Sequence, residues 1–315
     1  MNFISNRETI VRNHNDKSVN IAFCADENYV KYMGVGVFSI LDNNRDLKIN
    51  FHIFVTAINI EDIEKLKSIS SIYNNFNLDI YYINTVFFDE LPICEHFSTA
   101  IYYRLIIPYV LSDRESVLYV DTDIICLGDI SSIFNEISEK TVSAVEDLIS
   151  KDYLSKLGKI GFEINPYFNS GVLLINNKKW IELEVFEKVL YLVKNNNFKY
   201  PDQDALNILF QNDKNILPRS FNFMEWEKTY RDKDLYNNMV FLHFIGATKP
   251  WCWIGIHPKY DFYLKKSPWK DIQYILPKTT SDFRRASNRF WRIGQKKKAI
   301  KYKCIYLIRK LLRKK

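Results

Sequence analysis

The residues of this chain whose types and spacing best suit chemistry are two aspartates, Asp121 and Asp123, separated by Thr122. They follow a nearly all-apolar run over 116–120, which predicts a short buried strand. Residues two apart on an extended backbone face the same way, so both carboxylates can converge on one cation. Hard oxygen ligands suit Mg²⁺ or Mn²⁺. The sequence therefore predicts a divalent-metal site at the end of this strand.

The Asp-x-Asp pattern is weak when it stands alone, because two further triplets begin at Asp202 and Asp232. A turn or a helix cap is the ordinary explanation of such a triplet, and the one at 232–234 lies in a charged stretch that favours this explanation.

Phosphatases of the haloacid-dehalogenase type also carry Asp-x-Asp after an apolar strand. Their pattern has Thr or Val where this chain has Ile125, and it lies near the N-terminus.

A histidine and a lysine near residue 245 offer groups that a metal and a phosphate need. His243 lies in a predicted strand over 239–244, and Gly246 and Lys249 follow it. A single histidine in an apolar strand is more often a core residue. Here its imidazole could complete the site that the two aspartates begin, and Lys249 could contact a phosphate. A departing diphosphate needs such groups, because the charge that develops on it must be neutralised.

Short polar side chains precede two further elements. Asn169 and Ser170 come before Gly171, where a strand over 171–175 is predicted, and residues 200–204 precede a predicted helix over 204–210. Each group alone is explained by a turn or an N-cap. Short polar side chains beside a glycine are also suited to the hydroxyl groups of a sugar.

Strands and helices alternate along the chain, which predicts an α/β fold with crossover connections and a mostly parallel sheet. The first ordered element is predicted at 19–24. Further strands are predicted at 50–56, 78–83 and 116–120, and helices at 34–41, 61–71, 99–110 and 185–194. Open sheets of this kind bind ligands at the carboxyl ends of their strands. The polar residues that follow the strands are therefore the ones expected to form the site.

The bulk composition limits the class of protein. With 47% hydrophobic residues among 315, the chain can bury a large core, which excludes general disorder. Its five cysteines are scattered and form no C-x-x-C pair, so neither a disulfide framework nor a zinc cluster is expected (Cys24, Cys94, Cys126, Cys252 and Cys304). The polar N-terminus resembles no secretory signal, and no apolar run is long enough to span a membrane. We expect a cytoplasmic protein.

Six segments in this order resemble glycosyltransferase family 8, the retaining nucleotide-sugar transferases of GT-A fold. Within that family the resemblance is closest to bacterial lipopolysaccharide core glucosyl- and galactosyltransferases. It extends over about residues 19–269. The segments are Ala25-Asp26-Glu27-Asn28-Tyr29, Tyr103-Arg104-Leu105, residues 118–123, residues 167–172, Asp202-Gln203-Asp204 and His243-x-x-Gly246-x-x-Lys249-Pro250-Trp251.

The resemblance implies a role for each matching residue. Asp121, Asp123 and His243 would bind Mn²⁺, with Mg²⁺ as the alternative ion. The donor nucleotide sugar would be held by a larger set: Cys24, Ala25, Asp26, Asn28, Tyr29, Arg104, Asp121, Thr122, Asp123, Asn169, Ser170, Gly171, Asp202, Gln203, His243, Gly246 and Lys249. In that set Tyr29 would stack on the uracil base. Catalytic roles would fall to Gln203, Asp202 and Asp147.

The expected reaction is therefore Mn²⁺-dependent transfer of glucose or galactose from its UDP ester to a lipopolysaccharide core sugar, with retention. Gln203 would lie beside the anomeric carbon, where a carboxylate nucleophile would otherwise be expected. The resemblance instead favours front-face substitution, in which the departing phosphate oxygen helps to deprotonate the acceptor hydroxyl. A capsule, lipid-linked or protein acceptor is an alternative, and so is a catalytically inactive sugar-nucleotide-binding protein.

The C-terminal end is strongly basic, unlike the rest of the chain. Residues 284–315, here called the basic segment, hold 14 Lys or Arg and no Asp or Glu. A helix there would present one apolar face, made by Ile300, Cys304, Leu307, Ile308 and Leu311. This pattern favours peripheral binding to the anionic inner face of the bacterial plasma membrane over a nucleic-acid partner, whose electrostatic requirement is similar. The predicted domains are an N-terminal extension (1–18), the GT-A catalytic domain (19–270) and a C-terminal tail (271–315).

Overall fold

The computed structural model describes the chain apart from residues 1, 15–16, 90, 93–98, 137–138, 163–165, 226–232, 293 and 313–315. Cys94 and Asp232, named above, lie outside the described residues. The chain divides into two compact units, Met1–His243 and Phe244–Lys315, each of which is described by itself. The domain boundaries expected at residues 18 and 270 stay predictions.

Strands and helices alternate in the first unit. Its strands are β1 (Ile4–Arg12), β2 (Val19–Ala25), β3 (Ile49–Val55), β4 (Phe76–Ile83), β5 (Ser116–Val120), β6 (Ile124–Cys126), β7 (Val142–Glu146), β8 (Phe168–Asn176), β9 (Lys214–Leu217), β10 (Phe223–Met224) and β11 (Phe241–His243). Its helices are α1 (Val30–Asn43), α2 (Ile60–Ser68), α3 (Ile107–Val110), α4 (Lys151–Gly158), α5 (Asn177–Glu182), α6 (Val185–Asn195), α7 (Pro201–Leu209) and α8 (Lys233–Asn237).

The larger sheet has the strand order β1-β4-β3-β2-β5-β8-β7-β9. Strands β4, β3, β2 and β5 run parallel to one another, as the sequence predicts, and β9 is parallel to β7. Strand β8 is antiparallel to both β5 and β7. A smaller sheet, in the order β10-β11-β6, lies beyond the end of β5 and brings His243 next to Ile124. The α/β class and the mostly parallel central strands are confirmed.

The core lies against a sheet face that includes Ala22 and Cys24 of β2, Phe54 of β3 and Tyr119 of β5. Trp180 of α5 is fully buried in this core, and its indole nitrogen donates to the carbonyl oxygen of Leu105. Because large apolar side chains fill this face, the polar residues are confined to the strand ends. The site is therefore built at the edge of a rigid, close-packed layer.

Several predictions of local structure are wrong, among them the start of β8, which contains Asn169 and Ser170 where they were expected to precede it. Strand β1 precedes the predicted first element and pairs antiparallel with β4. Its sequence is mostly polar, because an edge strand needs only backbone ladder bonds and one partly covered face. Residues Thr99–Ile106 form a 3₁₀ helix, and only the four residues of α3 after it are α-helical. Helix α7 begins at Pro201, ahead of the predicted residue 204, since proline suits the first turn of a helix.

The second unit contains α9 (Pro258–Lys266), α10 (Thr280–Arg292) and α11 (Lys296–Leu312). A small apolar cluster joins Ile254 to Ala286, Phe290 and Ala299. Tyr302 of α11 stacks on Phe290 of α10, with ring centroids 5.5 Å apart. Within the described part of the chain, none of the helices is long and apolar enough to cross a bilayer.

Candidate active site

The topology brings the end of β5 and the beginning of β8 to the same edge of the sheet. Val120 pairs with Val172 in antiparallel register, and the backbone N–H of Asp121 donates to the carbonyl oxygen of Gly171 at 2.8 Å. Because β8 runs opposite to β5, its first residues lie beside the last residues of β5. The two polar segments that the sequence separates by nearly fifty residues, 121–123 and 169–171, are therefore neighbours.

Three of the predicted ligands meet at this edge. One ligand atom from each of Asp121, Asp123 and His243 lies within 4.8 Å of the other two. The Nε2 atom of His243 is 3.2 Å from Asp123 Oδ1 and 3.8 Å from Asp121 Oδ2. Two carboxylates and one imidazole form a donor set that fits a divalent cation. Asp123 and His243 are buried, so little water competes for the ion there. The side chains present thus fit the metal that the sequence predicts.

Gly171 lies against this trio so closely that no side chain fits there. A methyl group on Gly171 would overlap Cε1 of His243 and lie 2.8 Å from Oδ2 of Asp121. It would also lie 3.0 Å from Oδ1 of Asn169. The glycine is thus required by the close approach of backbone to the metal-binding side chains.

Arg104 joins three elements beneath the site. Its guanidinium donates to Asp121 Oδ1 at 3.1 Å and to the carbonyl oxygen of Ser170, and its Nε lies 3.4 Å from Asp202 Oδ2. Burial opposes its charge, but the Asp121 and Asp202 carboxylates outweigh burial and raise its pKa above the ordinary value. Arg104 stays charged and holds the ends of β5, β8 and α7 together. Tyr119 is stacked beneath its guanidinium, and its hydroxyl donates to Asp121 Oδ1 at 2.5 Å.

Gln203 is at the centre of a buried hydrogen-bond network. Its Oε1 accepts from the backbone N–H of Ser170 at 3.0 Å and from Asn169 Nδ2 at 3.2 Å. Its Nε2 donates to Asp147 Oδ2 at 3.1 Å and to the hydroxyl of Tyr167 at 3.2 Å. Every polar atom of this amide therefore has a partner, which fixes the amide rigidly.

The two carboxylates that flank Gln203 in α7 differ in their surroundings. Burial raises the pKa of Asp202, against the opposing charge of Arg104 and a hydrogen bond from Ser170. Burial also raises the pKa of Asp204, whose carboxylate accepts from the hydroxyls of Tyr153 and Tyr167. Asp202 therefore faces the site, whereas Asp204 anchors the tyrosines behind it.

The end of β2 carries the residues expected to hold the nucleoside. Cys24 and Ala25 are buried, and burial raises the pKa of the Cys24 thiol. Oδ1 of Asp26 accepts from the backbone N–H groups of Asn28 and Tyr29 at 3.0 and 3.2 Å. This carboxylate thus shapes the turn that enters α1, a structural role that can coexist with ligand binding.

The remaining predicted residues are Thr122, Gly246 and Lys249. Thr122 is half-buried between the two aspartates. Gly246 and Lys249 belong to the second unit: Gly246 is exposed with a φ of 80°, and Nζ of Lys249 donates to the carbonyl oxygen of Phe244. Their assignment to the diphosphate stays a prediction.

Two residues that contact the metal-binding side chains were not predicted from the sequence. Tyr119 lies in β5 two positions before Asp121, whose backbone N–H still bonds to Gly171 of β8, so the twofold period of the strand could have identified it. Oδ1 of Asn222 accepts from Nδ1 of His243 at 3.0 Å, and Nδ2 of Asn222 donates to Oδ1 of Asn169 at 2.9 Å. No periodic pattern surrounds Asn222, and no local signal marks it.

Comparison with known proteins yields one family and several related enzymes. The sequence model of glycosyl transferase family 8 matches residues 20–255. The lipopolysaccharide 1,2-glucosyltransferase of Escherichia coli K12 is 31% identical over 85% of this chain and 83% of its own length. The lipopolysaccharide 1,3-galactosyltransferase of Salmonella typhimurium is 29% identical over 93% of this chain and 91% of its own length.

Among solved structures, the galactosyltransferase LgtC in complex with donor and acceptor sugar analogues has the same fold. The TM-score is 0.68 at 25% identity, covering 78% of this chain and 94% of LgtC. The GT-A fold and nucleotide-sugar hexosyltransferase activity expected from the sequence are thereby confirmed. With the family model matched over most of its length and the fold shared, the chain belongs to glycosyltransferase family 8.

Proposed function

We propose that this chain transfers glucose or galactose from its UDP ester to a sugar of the lipopolysaccharide core, with Mn²⁺ as cofactor and with retention at the anomeric carbon. The observation that carries the proposal is the cluster of Asp121, Asp123 and His243 beside the buried network of Gln203. The named activities of the two lipopolysaccharide relatives support the choice of sugar and acceptor.

In this proposal each group of the site has a separate task. Asp121, Asp123 and His243 would hold the metal, which when bound would neutralise the charge that develops on the UDP diphosphate as its bond to the anomeric carbon breaks. Asp147, Asn169 and Asp202 bind the hydroxyls of the donor sugar. Their positions are set by the Arg104 and Gln203 hydrogen bonds, so the donor meets prearranged polar groups.

Retention is proposed to proceed by front-face substitution. A double displacement needs a carboxylate at the anomeric carbon, and the position assigned there carries the neutral amide of Gln203. In front-face substitution the acceptor hydroxyl attacks from the side on which UDP leaves, and its proton passes to the departing phosphate oxygen. The amide of Gln203 is held in position by its four hydrogen-bond partners. In this position its dipole stabilises the positive charge that develops on the sugar.

UDP release with a panel of UDP-sugars tests this function. The purified chain is assayed with Mn²⁺, with Mg²⁺ and with EDTA, first without acceptor and then with isolated lipopolysaccharide core. We expect Mn²⁺-dependent turnover with UDP-glucose or UDP-galactose and an α-linked product by NMR. Transfer to a capsule, lipid-linked or protein acceptor, without transfer to the lipopolysaccharide core, would show that the proposed acceptor is wrong. Absence of turnover with every donor, slow hydrolysis included, would indicate a sugar-nucleotide-binding protein.

Replacing Gln203 by alanine is expected to slow transfer by about 100-fold, the range found when one polar group that stabilises a transition state is removed. Donor affinity should change by less than about threefold, since Asn169 keeps its hydrogen bonds to Gly171 and Asn222. Turnover and UDP-sugar binding are measured on the same preparation. A loss of donor affinity as large as the loss of rate would instead make Gln203 a residue that positions the donor.

The proposed location is the cytoplasmic face of the plasma membrane, reached through the basic segment. The apolar face predicted for this segment is exposed along α11, at Ile300, Cys304, Leu307, Ile308 and Leu311. Its exposed lysines include Lys297, Lys301 and Lys310. Apolar side chains flanked by cations suit the boundary between acyl chains and anionic headgroups, and each cation near that surface contributes about 1 kcal/mol. This surface would bring the site to a lipid-anchored acceptor.

Replacing Leu307 and Leu311 together by glutamate is expected to weaken binding to phosphatidylglycerol vesicles by at least about 100-fold, because burying two leucines contributes about 3 kcal/mol. The two side chains are 46% and 69% exposed, so the fold should tolerate the change. Ile60→Glu with Val86→Glu is the matched control, with two exposed apolar residues of the first unit and the same change of charge. Equal vesicle binding by both variants would contradict the membrane proposal.

A further inference from the structure

Asn222 bridges the residues assigned to the donor sugar and those assigned to the metal. It ends the 3₁₀ turn Arg219–Asn222, just before β10, and only 1% of its surface is exposed. Its side chain lies 3.0 Å from Nδ1 of His243 through Oδ1 and 2.9 Å from Oδ1 of Asn169 through Nδ2. Asn222 therefore acts on the metal site through its contact with His243.

The direction of these hydrogen bonds follows from neighbouring groups that can only donate or only accept. The backbone N–H of Gly171 can only donate, and its acceptor at 2.9 Å is therefore the oxygen of the Asn169 amide. The Asp147 carboxylate accepts, so the atom 3.2 Å from it is the Asn169 nitrogen. The positions of both the oxygen and the nitrogen of the Asn169 amide are thus determined. The Asn222 atom 2.9 Å from this oxygen must be the amide nitrogen, because an oxygen there could not donate to it.

The orientation of Asn222 decides which nitrogen of His243 carries the proton. With its NH₂ group directed to Asn169, Asn222 presents its oxygen to Nδ1, so Nδ1 must be the protonated nitrogen of the neutral ring. The lone pair then lies on Nε2, which is the atom nearest to Asp121 and Asp123. Three groups with lone pairs converge there, and a cation satisfies all three.

We infer that Asn222 is a positioning residue that fixes His243 in the Nδ1–H tautomer and so presents Nε2 to the metal. The inference rests on the proposed metal site and adds to it the origin of the histidine's orientation. It also links the donor to the metal, because a sugar that holds Asn169 in place strengthens the orientation of Asn222. A residue that only filled space behind His243 would leave the tautomer free.

The first measurement is the tautomer itself. Protein labelled with ¹⁵N-histidine is examined by two-bond ¹H–¹⁵N correlation without metal, at a pH at which the rings are neutral, and His243 is assigned with a His243→Gln variant. We expect the wild-type ring to be protonated at Nδ1. In Asn222→Ala, Nδ1 loses its acceptor, and the Nε2–H tautomer should become populated. Protonation of the wild-type ring at Nε2 would overturn the inference.

The second measurement is the affinity for Mn²⁺ alone, read from the electron paramagnetic resonance signal of free Mn²⁺. Asn222→Ala should bind about 10- to 100-fold more weakly, the usual cost of removing the partner of a metal-bound histidine. Asn222→Asp keeps an acceptor toward Nδ1, so it should keep the tautomer and bind Mn²⁺ within about threefold of wild type or more tightly. An Asn222→Ala protein with unchanged tautomer and unchanged affinity would refute the assignment.

Asn75→Ala serves as the matched control for stability. Asn75 is 3% exposed and donates to the carbonyl oxygens of Asn44 and Leu47, away from the site. Its loss should lower the melting temperature as Asn222→Ala does, without changing the His243 tautomer or Mn²⁺ binding. If the wild type shows the Nδ1–H tautomer, and Asn222→Ala loses it, while neither binds Mn²⁺, the proposed metal dependence fails and the tautomer assignment is supported.

Discussion

Replacing Asp123 by alanine is expected to lower Mn²⁺-dependent UDP release by at least about 1,000-fold, because a metal at a leaving group stabilises the transition state by several kcal/mol. Oδ1 of Asp123 lies 3.2 Å from Nε2 of His243, and the side chain is almost wholly buried. Its removal leaves one carboxylate and one imidazole, too few ligands to hold a hard cation at ordinary concentrations. Turnover is measured over a Mn²⁺ titration, with UDP-sugar affinity determined in parallel.

Two further variants separate the causes of that loss. Asp123→Asn keeps the volume and removes the charge, so it should be nearly as inactive as the alanine variant. Asp113→Ala removes an exposed carboxylate that pairs with the neighbouring Arg114 at the surface, and it should retain full turnover. If Asp123→Ala keeps metal-dependent turnover, Asp123 is not a metal ligand.

The strand before Asp121 could be predicted because its period and burial are local properties. Residues 117–120 are apolar or aromatic and buried, and the structure has β5 at 116–120, as predicted. The extended backbone predicted for Asp121 and Asp123 is wrong, because Thr122 and Asp123 form a turn between β5 and β6, and this turn brings the two carboxylates together. His243 is different, because only the pairing of β11 with β6 brings it to Asp123, and no spacing along the chain contains that pairing. Its role was expected from the family resemblance.

Other features were missed because their causes are not periodic. Strand β1 is held by backbone bonds to β4 and by the Arg7 and Thr9 contacts to Asp79, so its sequence needs no apolar alternation. An α-helix and a 3₁₀ helix both repeat apolar residues about every third position, which is why 99–106 was predicted with the wrong type. Asn222 acquires its role from residues 21 and 53 positions away in the chain.

Replacing Gly171 by alanine is expected to remove most of the Mn²⁺ affinity. Turnover should fall by at least about 100-fold as a result. The added methyl group would occupy the space of Cε1 of His243, and it would press on Asp121 Oδ2 and Asn169 Oδ1. Extra methyl groups in a close-packed core cost about 1–3 kcal/mol, and here the atoms that must move are metal ligands. Mn²⁺ affinity by paramagnetic resonance and UDP release are the two measurements.

Gly158→Ala is the control for the general effect of removing a glycine. Gly158 is the last residue of α4, and no atom lies within 4 Å of a methyl group placed there, so its replacement should leave stability and turnover unchanged or slightly increase stability. Strand β8 is fixed on both sides by β5 and β7, so the backbone at Gly171 cannot retreat from the methyl group. The strain must therefore fall on His243 and Asp121. A Gly171→Ala protein that folds and binds Mn²⁺ as tightly as wild type would mean that these two side chains do not hold the metal in the arrangement described.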